Sequence, residues 1–183
     1  MKRRVYATVD GRKGCELFLD GAKGELLGTA GQAYDAIRYQ AGRALAALCA
    51  EAVGAMRELC DITLDYLKTR KQFGVVIGKF QVLQHRMVDM VSELERATSM
   101  AILAASLADG EDNDLRSAKL SAAKYMVNRA ARYVAEQSIQ LHGGIAMTWE
   151  YAGAHYAKRL VTITHQLGDD DYHLEAYAAQ LSA

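Results

Sequence analysis

Proline is absent from all 183 residues. A proline inside a helix removes a backbone hydrogen bond and collides with the preceding turn, so a chain without one can sustain helices as long as its apolar pattern specifies. From Gln32 onward the pattern specifies long ones. Leu45, Leu48, Cys49, Ala52, Met56, Leu59 and Leu67 recur at helical spacing, which predicts one helix from near Ala33 to Arg70. Phe80, Leu83, Met87, Met90, Val91 and Leu94 open a second, stopped by Asp109-Gly110. Asn113 or Asp114 can cap a third, carrying Leu115, Ala118, Ala122, Tyr125, Met126 and Tyr133 and ending at Gly143-Gly144. Thr148 can cap a fourth, from Trp149 to about Leu167, and a short last helix follows Asp169-Asp170-Asp171. Four long helices with short links predict an all-α, antiparallel four-helix bundle.

The first 31 residues read differently. Six of the fifteen glycines (Gly11, Gly14, Gly21, Gly24, Gly28 and Gly31) fall there. Val5 to Val9 and Cys15 to Leu19 are short and partly alternating, and Asp10-Gly11-Arg12-Lys13-Gly14 separates them, which predicts a β-hairpin-like segment. Two strands alone are marginal in water. The expected division is therefore 1–28 as a β segment and 29–183 as the helical bundle.

Charge and length exclude several function classes. Lys plus Arg and Asp plus Glu number 22 each, so no basic excess draws the chain to nucleic acid or to an anionic membrane. No apolar run approaches the 18 or so residues of a membrane span, and Met1-Lys2-Arg3-Arg4 leads into polar sequence instead of a signal core, so a soluble, cytoplasmic chain is expected. Cys15, Cys49 and Cys60 lack metal-type spacing; Cys49 and Cys60 sit where helix-face alanines would fit and are expected to be buried free thiols. A di-iron bundle would need paired Glu-x-x-His motifs, whereas this chain has a single Asp170-x-x-His173.

Two short segments carry chemistry. Arg70-Lys71-Gln72-Phe73-Gly74 is followed by Gln81, and Gln140-Leu141-His142-Gly143-Gly144 closes the third helix. A guanidinium offers a permanent charge and a planar fork of donors, and a glycine pair lets backbone approach an anion without Cβ interference. Each segment alone is also compatible with an ordinary helix end. Their order and separation, however, resemble the C-terminal helical domain of the acyl-CoA dehydrogenase family. That domain carries an Arg-x-x-Phe-Gly turn, a glutamine eleven positions after the arginine, and a Gln-x-x-Gly-Gly turn after the third helix. The resemblance covers roughly residues 15 to 168.

The resemblance implies FAD as cofactor and the oxidation of acyl-CoA to 2-enoyl-CoA by an assembled oligomer, a dimer or tetramer of like or unlike subunits. Carried over by position, Arg70 would pair with the pyrophosphate, Phe73 would pack on the adenosine side and Gln81 would hydrogen-bond the cofactor. Gln140, Gly143 and Gly144 would line the adenine and diphosphate of a neighbouring subunit's FAD. Residues 1–28 would be the tail of the family's middle β-domain, and the chain would be about half the family's usual length. The catalytic base is the exception. Most of the family places a glutamate in the turn after the fourth helix, where this sequence has His165-Gln166-Leu167-Gly168-Asp169. A minority places it on the first helix, at a position that falls near Ala44, with Asp35 and Glu51 the closest carboxylates. Asp169 is the remaining candidate, and the catalytic residue stays unassigned. The other reading left open is a bundle that keeps the fold and the oligomer surface as an assembly partner but has lost flavin and activity.

Overall fold

The computed structural model describes residues 1–181; Ser182 and Ala183, the last of the expected 29–183 segment, lie outside the described residues. Helix α1 (Ala33–Thr69) has 37 residues, which at the helical rise spans about 55 Å. It buries Leu45, Cys49, Ala52, Met56, Leu59 and Leu67 along one stripe, as the spacing predicts. Helix α2 (Gln81–Leu107) and helix α3 (Asp114–His142) pack against it and each other. Helix α4 (Ala152–Ile163) lies on α1 and α3, and helix α5 (Asp170–Leu181) lies on α3. Buried alanines line the contacts, among them Ala46, Ala97, Ala104, Ala123, Ala130 and Ala131, and small side chains let the helices approach closely. Cys49 and Cys60 are buried in this core as free thiols, and burial pushes both up to about 11.

Asn113 caps α3, its side chain accepting from the Arg116 N–H at 2.8 Å. The expected apolar stripe of α3 is corrected by the packing. Leu115 is exposed, and Ala122, Tyr125, Met126 and Tyr133 are only half-buried. The buried side includes Ala123, Val127, Ala130 and Val134 together with the polar Lys124 and Asn128. Neighbours surround α3 on most sides, so its burial is not set by one amphipathic face.

The fourth helix is also corrected. It begins at Ala152 and ends at Ile163, not Trp149 to Leu167, and Thr148 does not cap it. A 3-10 turn (Gly143–Met147) intervenes, and the Thr148 hydroxyl donates to the Ile145 carbonyl at 2.9 Å. Trp149 is held outside the helix by its own partners. His155 Nε2 binds the Trp149 carbonyl at 2.8 Å, and the Lys158 ammonium lies 4.7 Å from the ring centroid.

Strand β1 (Lys2–Ala7) pairs antiparallel with β2 (Lys13–Phe18), with Val5 opposite Cys15. Both strands start earlier than expected because the turn takes in residues 8–12, closed by Thr8 N–H to the Arg12 carbonyl at 2.9 Å. Val9 therefore belongs to the turn and Leu19 lies past the ribbon. Arg159 of α4 ties this turn to the bundle. Its Nε and Nη2 donate to both Glu51 oxygens at 2.7 and 2.8 Å, and its Nη1 donates to Asp10 at 3.0 Å.

α1 and α3 run in the same direction, and this sets where the functional segments emerge. Thr63 and Ser138 share a hydrogen bond at 2.8 Å, and the Tyr66 and His142 rings stand 4.5 Å apart. The chain thus leaves α1 at Arg70 and α3 at Gly143 from one end of the bundle. The opposite end holds the N-terminal part of α3, where Arg116 reaches the Tyr39 carbonyl of α1.

Candidate functional site

At Arg70 the backbone turns from helical to extended. Strands β3 (Lys71–Gln72) and β4 (Val75–Val76) then close a minimal hairpin through Phe73 at φ 55 and Gly74 at φ 77. Two successive left-handed residues make the tight turn whose twist matches the flanking strands, and Asn, Asp and Gly are the usual occupants. A phenylalanine in this conformation costs on the order of 1 kcal/mol. Its ring gains little within the chain in return, being 87% exposed with an edge-on contact to Phe80 at 6.1 Å. Arg70 and Gln81, on either side of this hairpin, are exposed, and among the described residues no hydrogen bond or ion pair engages either side chain.

The second segment lies beside the first. Gly143 has φ 66 and ψ −143, a backbone state essentially confined to glycine. Its N–H closes α3 on the Ile139 carbonyl, so it contributes conformation and close approach, not a free donor. A Cβ on Gly143 or Gly144 would meet nothing within 4 Å, which leaves their surface open to an incoming group. Gln140 is exposed and, like Arg70, has no side-chain partner among the described residues. The structure therefore brings Arg70, Phe73, Gln81, Gln140, Gly143 and Gly144 to one end of the bundle.

Charge along the first segment is one-sided. Between Asp65 and Asp89 the sequence carries Lys68, Arg70, Lys71, Lys79 and Arg86 and no carboxylate. Unpaired donors, a cationic surround and an open glycine pair fit a diphosphate. Beneath the glycine pair, His142 is buried between the rings of Tyr66 and Tyr151, with centroids at 4.5 and 4.7 Å. Burial holds its imidazole below the ordinary value against the opposing pull of the Ser138 and Ile62 carbonyls. Burial also pushes the Tyr151 phenol up to about 12, so it remains a donor.

The turn where the family keeps its base holds no glutamate. Asp169 is exposed, and its carboxylate accepts the Tyr172 N–H at 3.0 Å, which makes it the cap of α5. Leu167 and Gly168 both keep left-handed backbone, at φ 58 and φ 106. A cavity of about 380 Å3 beside them is lined by Arg38, Gly42, Leu45, Leu120 and His173 among others, and no lining residue is a carboxylate. Ala44 is exposed, and Glu51 is engaged by Arg159 and Arg12, whose hydrogen bonds and charges hold its carboxyl below the ordinary value.

Sequence reasoning missed the residues that support these turns. Lys124 is fully buried, donating to the Ile163 carbonyl at 2.8 Å and to Asn128 at 2.6 Å, and so caps the C-terminal end of α4. Burial brings its ammonium down to about 8. His142 lies inside a recognised string, but only the fold shows Tyr66 and Tyr151 against it.

The profile described as "Acyl-CoA dehydrogenase, C-terminal domain" matches residues 32–182. The chain belongs to the acyl-CoA dehydrogenase family. Acyl-CoA dehydrogenase IpdE2 of Mycolicibacterium smegmatis is 34% identical over 134 residues, covering 73% of this chain and 41% of the relative. A variant of the Tcur3481-Tcur3483 steroid ACAD superposes with a TM-score of 0.84 at 26% identity, over 99% of this chain and 48% of that one. The structure of PigA with FAD and proline superposes with a TM-score of 0.68 at 29% identity, over 76% of this chain and 36% of PigA. The chain thus spans half or less of the length of these acyl-CoA dehydrogenase relatives and carries their C-terminal helical domain. No helix among the described residues is long and apolar enough to cross a membrane.

Proposed function

We propose that this chain forms one wall of an FAD site in an assembled acyl-CoA dehydrogenase, completing a site whose other wall belongs to a neighbouring subunit or domain. Residues 1–28 are, in this reading, the end of the β-domain that supplies part of that wall. FAD when bound supplies the hydride acceptor for oxidation of an acyl-CoA thioester to the 2-enoyl product. This chain's residues bind and orient. Arg70 supplies fixed positive charge to the diphosphate, and Gln81 and Gln140 supply uncharged donors. Gly143 and Gly144 allow close backbone approach, and Phe73 offers its exposed ring to the adenosine side. The observation that carries the reading is the gathering of Arg70, Gln81 and Gln140, all exposed and without side-chain partners among the described residues, around two glycine turns at one end of the bundle.

The proton of the α-carbon needs a different group. Removing it calls for a base within hydrogen-bond reach, and general-base catalysis contributes about 100-fold to 10,000-fold. Asp169 caps a helix, Glu51 is ion-paired, and neither Leu167 nor Ala44 can accept a proton. In this reading the base comes from the partner, and the chain alone does not dehydrogenate acyl-CoA. Purification from the native host tests this: a co-purifying partner identified by mass, with flavin absorbance in the complex, is expected. A complex without flavin would favour the second reading, an assembly partner that has lost the cofactor, which the carboxylate-free cavity at Leu167 also supports.

A further inference from the structure

We infer that His142, clamped between Tyr66 and Tyr151, is a positioning residue that holds the Gly143–Gly144 face in the shape the cofactor site requires. This rests on the FAD reading above. His142 is the last residue of α3, directly before a glycine whose backbone state other residues cannot adopt. The residue is 4% exposed, and both ring nitrogens are engaged. Nδ1 lies 2.8 Å from the Ser138 carbonyl, an acceptor, so Nδ1 carries the proton. Nε2 is then the bare acceptor for the Tyr151 hydroxyl. These two contacts assign the imidazole to the Nδ1–H tautomer.

Tyr151 stands at the far end of the same loop. It is the N-cap residue of α4, so its contact with His142 joins the two ends of the segment that carries Gly143, Gly144 and the 3-10 turn. Tyr66 presses on the ring's other side from the last turns of α1, just before Arg70. One imidazole therefore registers three elements: the helix that leads to Arg70, the helix that leads to the glycine pair, and the start of α4. A leucine could fill this volume without the desolvation that burial imposes on a histidine. What it could not do is accept a hydrogen bond from Tyr151, and that bond specifies the loop's closure.

The test compares wild type with Tyr151→Phe, His142→Leu and His142→Gln, each purified with its native partners. FAD dissociation is followed by flavin fluorescence, and folding by circular dichroism. Tyr151→Phe leaves a buried acceptor unpaired with little change of shape, and about ten-fold weaker FAD retention is expected at unchanged helicity. His142→Leu should lose at least as much. In His142→Gln the amide oxygen can take the place of Nε2, so most of the affinity should return. If His142→Leu does not fold, Tyr151→Phe decides. Long-range 1H–15N spectra of the wild type should show the Nδ1–H tautomer. FAD bound equally by wild type and Tyr151→Phe overturns the inference while leaving the cofactor reading intact, and so does an Nε2–H tautomer or a glutamine variant no better than leucine. A wild-type complex without FAD overturns both.

Discussion

The two ends of the bundle treat their arginines in opposite ways. At one end Arg116, 3% exposed, donates to the carbonyls of Leu107 and Ala108 at 2.9 and 2.8 Å, reaches the Tyr39 carbonyl at 3.4 Å and stacks 4.5 Å over the Tyr39 ring. Arg38 and Arg43 beside it pair with Asp112 and Asp109 at 2.9 and 2.8 Å. Even the backbone is cut to fit, since a Cβ on Gly42 would stand 2.9 Å from Arg116 Nη1. At the other end the Arg70 side chain has no partner among the described residues, no carboxylate lies between Asp65 and Asp89, and a phenylalanine is held in strained backbone with its ring in water. A cation that stabilises the fold consumes its hydrogen bonds internally. One kept for something outside the chain leaves them open.

The largest expected difference comes from exchanging these two arginines for alanine. Arg116→Ala takes the guanidinium from the carbonyls of Leu107 and Ala108 and leaves Asp112 to Arg38 alone, and a loss of about 1–3 kcal/mol is expected in urea unfolding. Arg70→Ala should stay within about 0.5 kcal/mol of wild-type stability. The same variant should weaken FAD retention in the assembled complex by on the order of 2 kcal/mol. Equal destabilisation by the two substitutions would erase the contrast between the ends.

A smaller contrast separates the adjacent glycines. Gly143→Ala forces a side chain into a glycine-only conformation and should cost about 1–3 kcal/mol of stability. Gly144→Ala meets open space and no positive φ, so its stability should change by less than about 0.5 kcal/mol while its FAD retention falls. Thermal melts paired with flavin release measure both. A Gly144→Ala complex that keeps its flavin would remove that residue from the cofactor surface.

The smallest effect is one of pH, and both ends share it. His142 and His173 are held below the ordinary value of 6.5, chiefly by burial. The unfolded chain therefore binds more protons than the folded one in mild acid. The stability each contributes is present above about 6.5 and is lost as the pH falls through the lower folded value. His142→Gln and His173→Gln should each flatten part of that slope in unfolding midpoints recorded from pH 7 to 5. A slope untouched by either variant would remove both histidines from the acid sensitivity; the Asp10–Arg159–Glu51 tie does not contribute in this window, because it weakens only as the pH falls below about 4.5.

Much of this was legible without the fold. α1 matched its spacing nearly to the residue because one continuous apolar stripe meets one core. The two turns proposed to meet the cofactor were legible as turns because phenylalanine and glycine at fixed separations describe local backbone states. α3 was misread because helices on several sides bury even Lys124 and Asn128, which a one-sided periodicity treats as surface. The start of α4 was misread because Thr148 bonds back to the Ile145 carbonyl of the preceding 3-10 turn, while Trp149 lies before the helix and is held there by His155 and Lys158 of α4.

The sequence by itself determined the bundle, the family and the exposed residues proposed here to meet a diphosphate, since these follow from period, turn chemistry and charge along the chain. Only the tertiary structure decided that Arg70 and Gly143 share one end, that Asp169 and Glu51 are already committed to a cap and an ion pair, and that His142 accepts from Tyr151. Those are facts about distance between residues far apart in the chain, and a hydrogen bond is made or lost within a few tenths of an ångström that no linear spacing specifies.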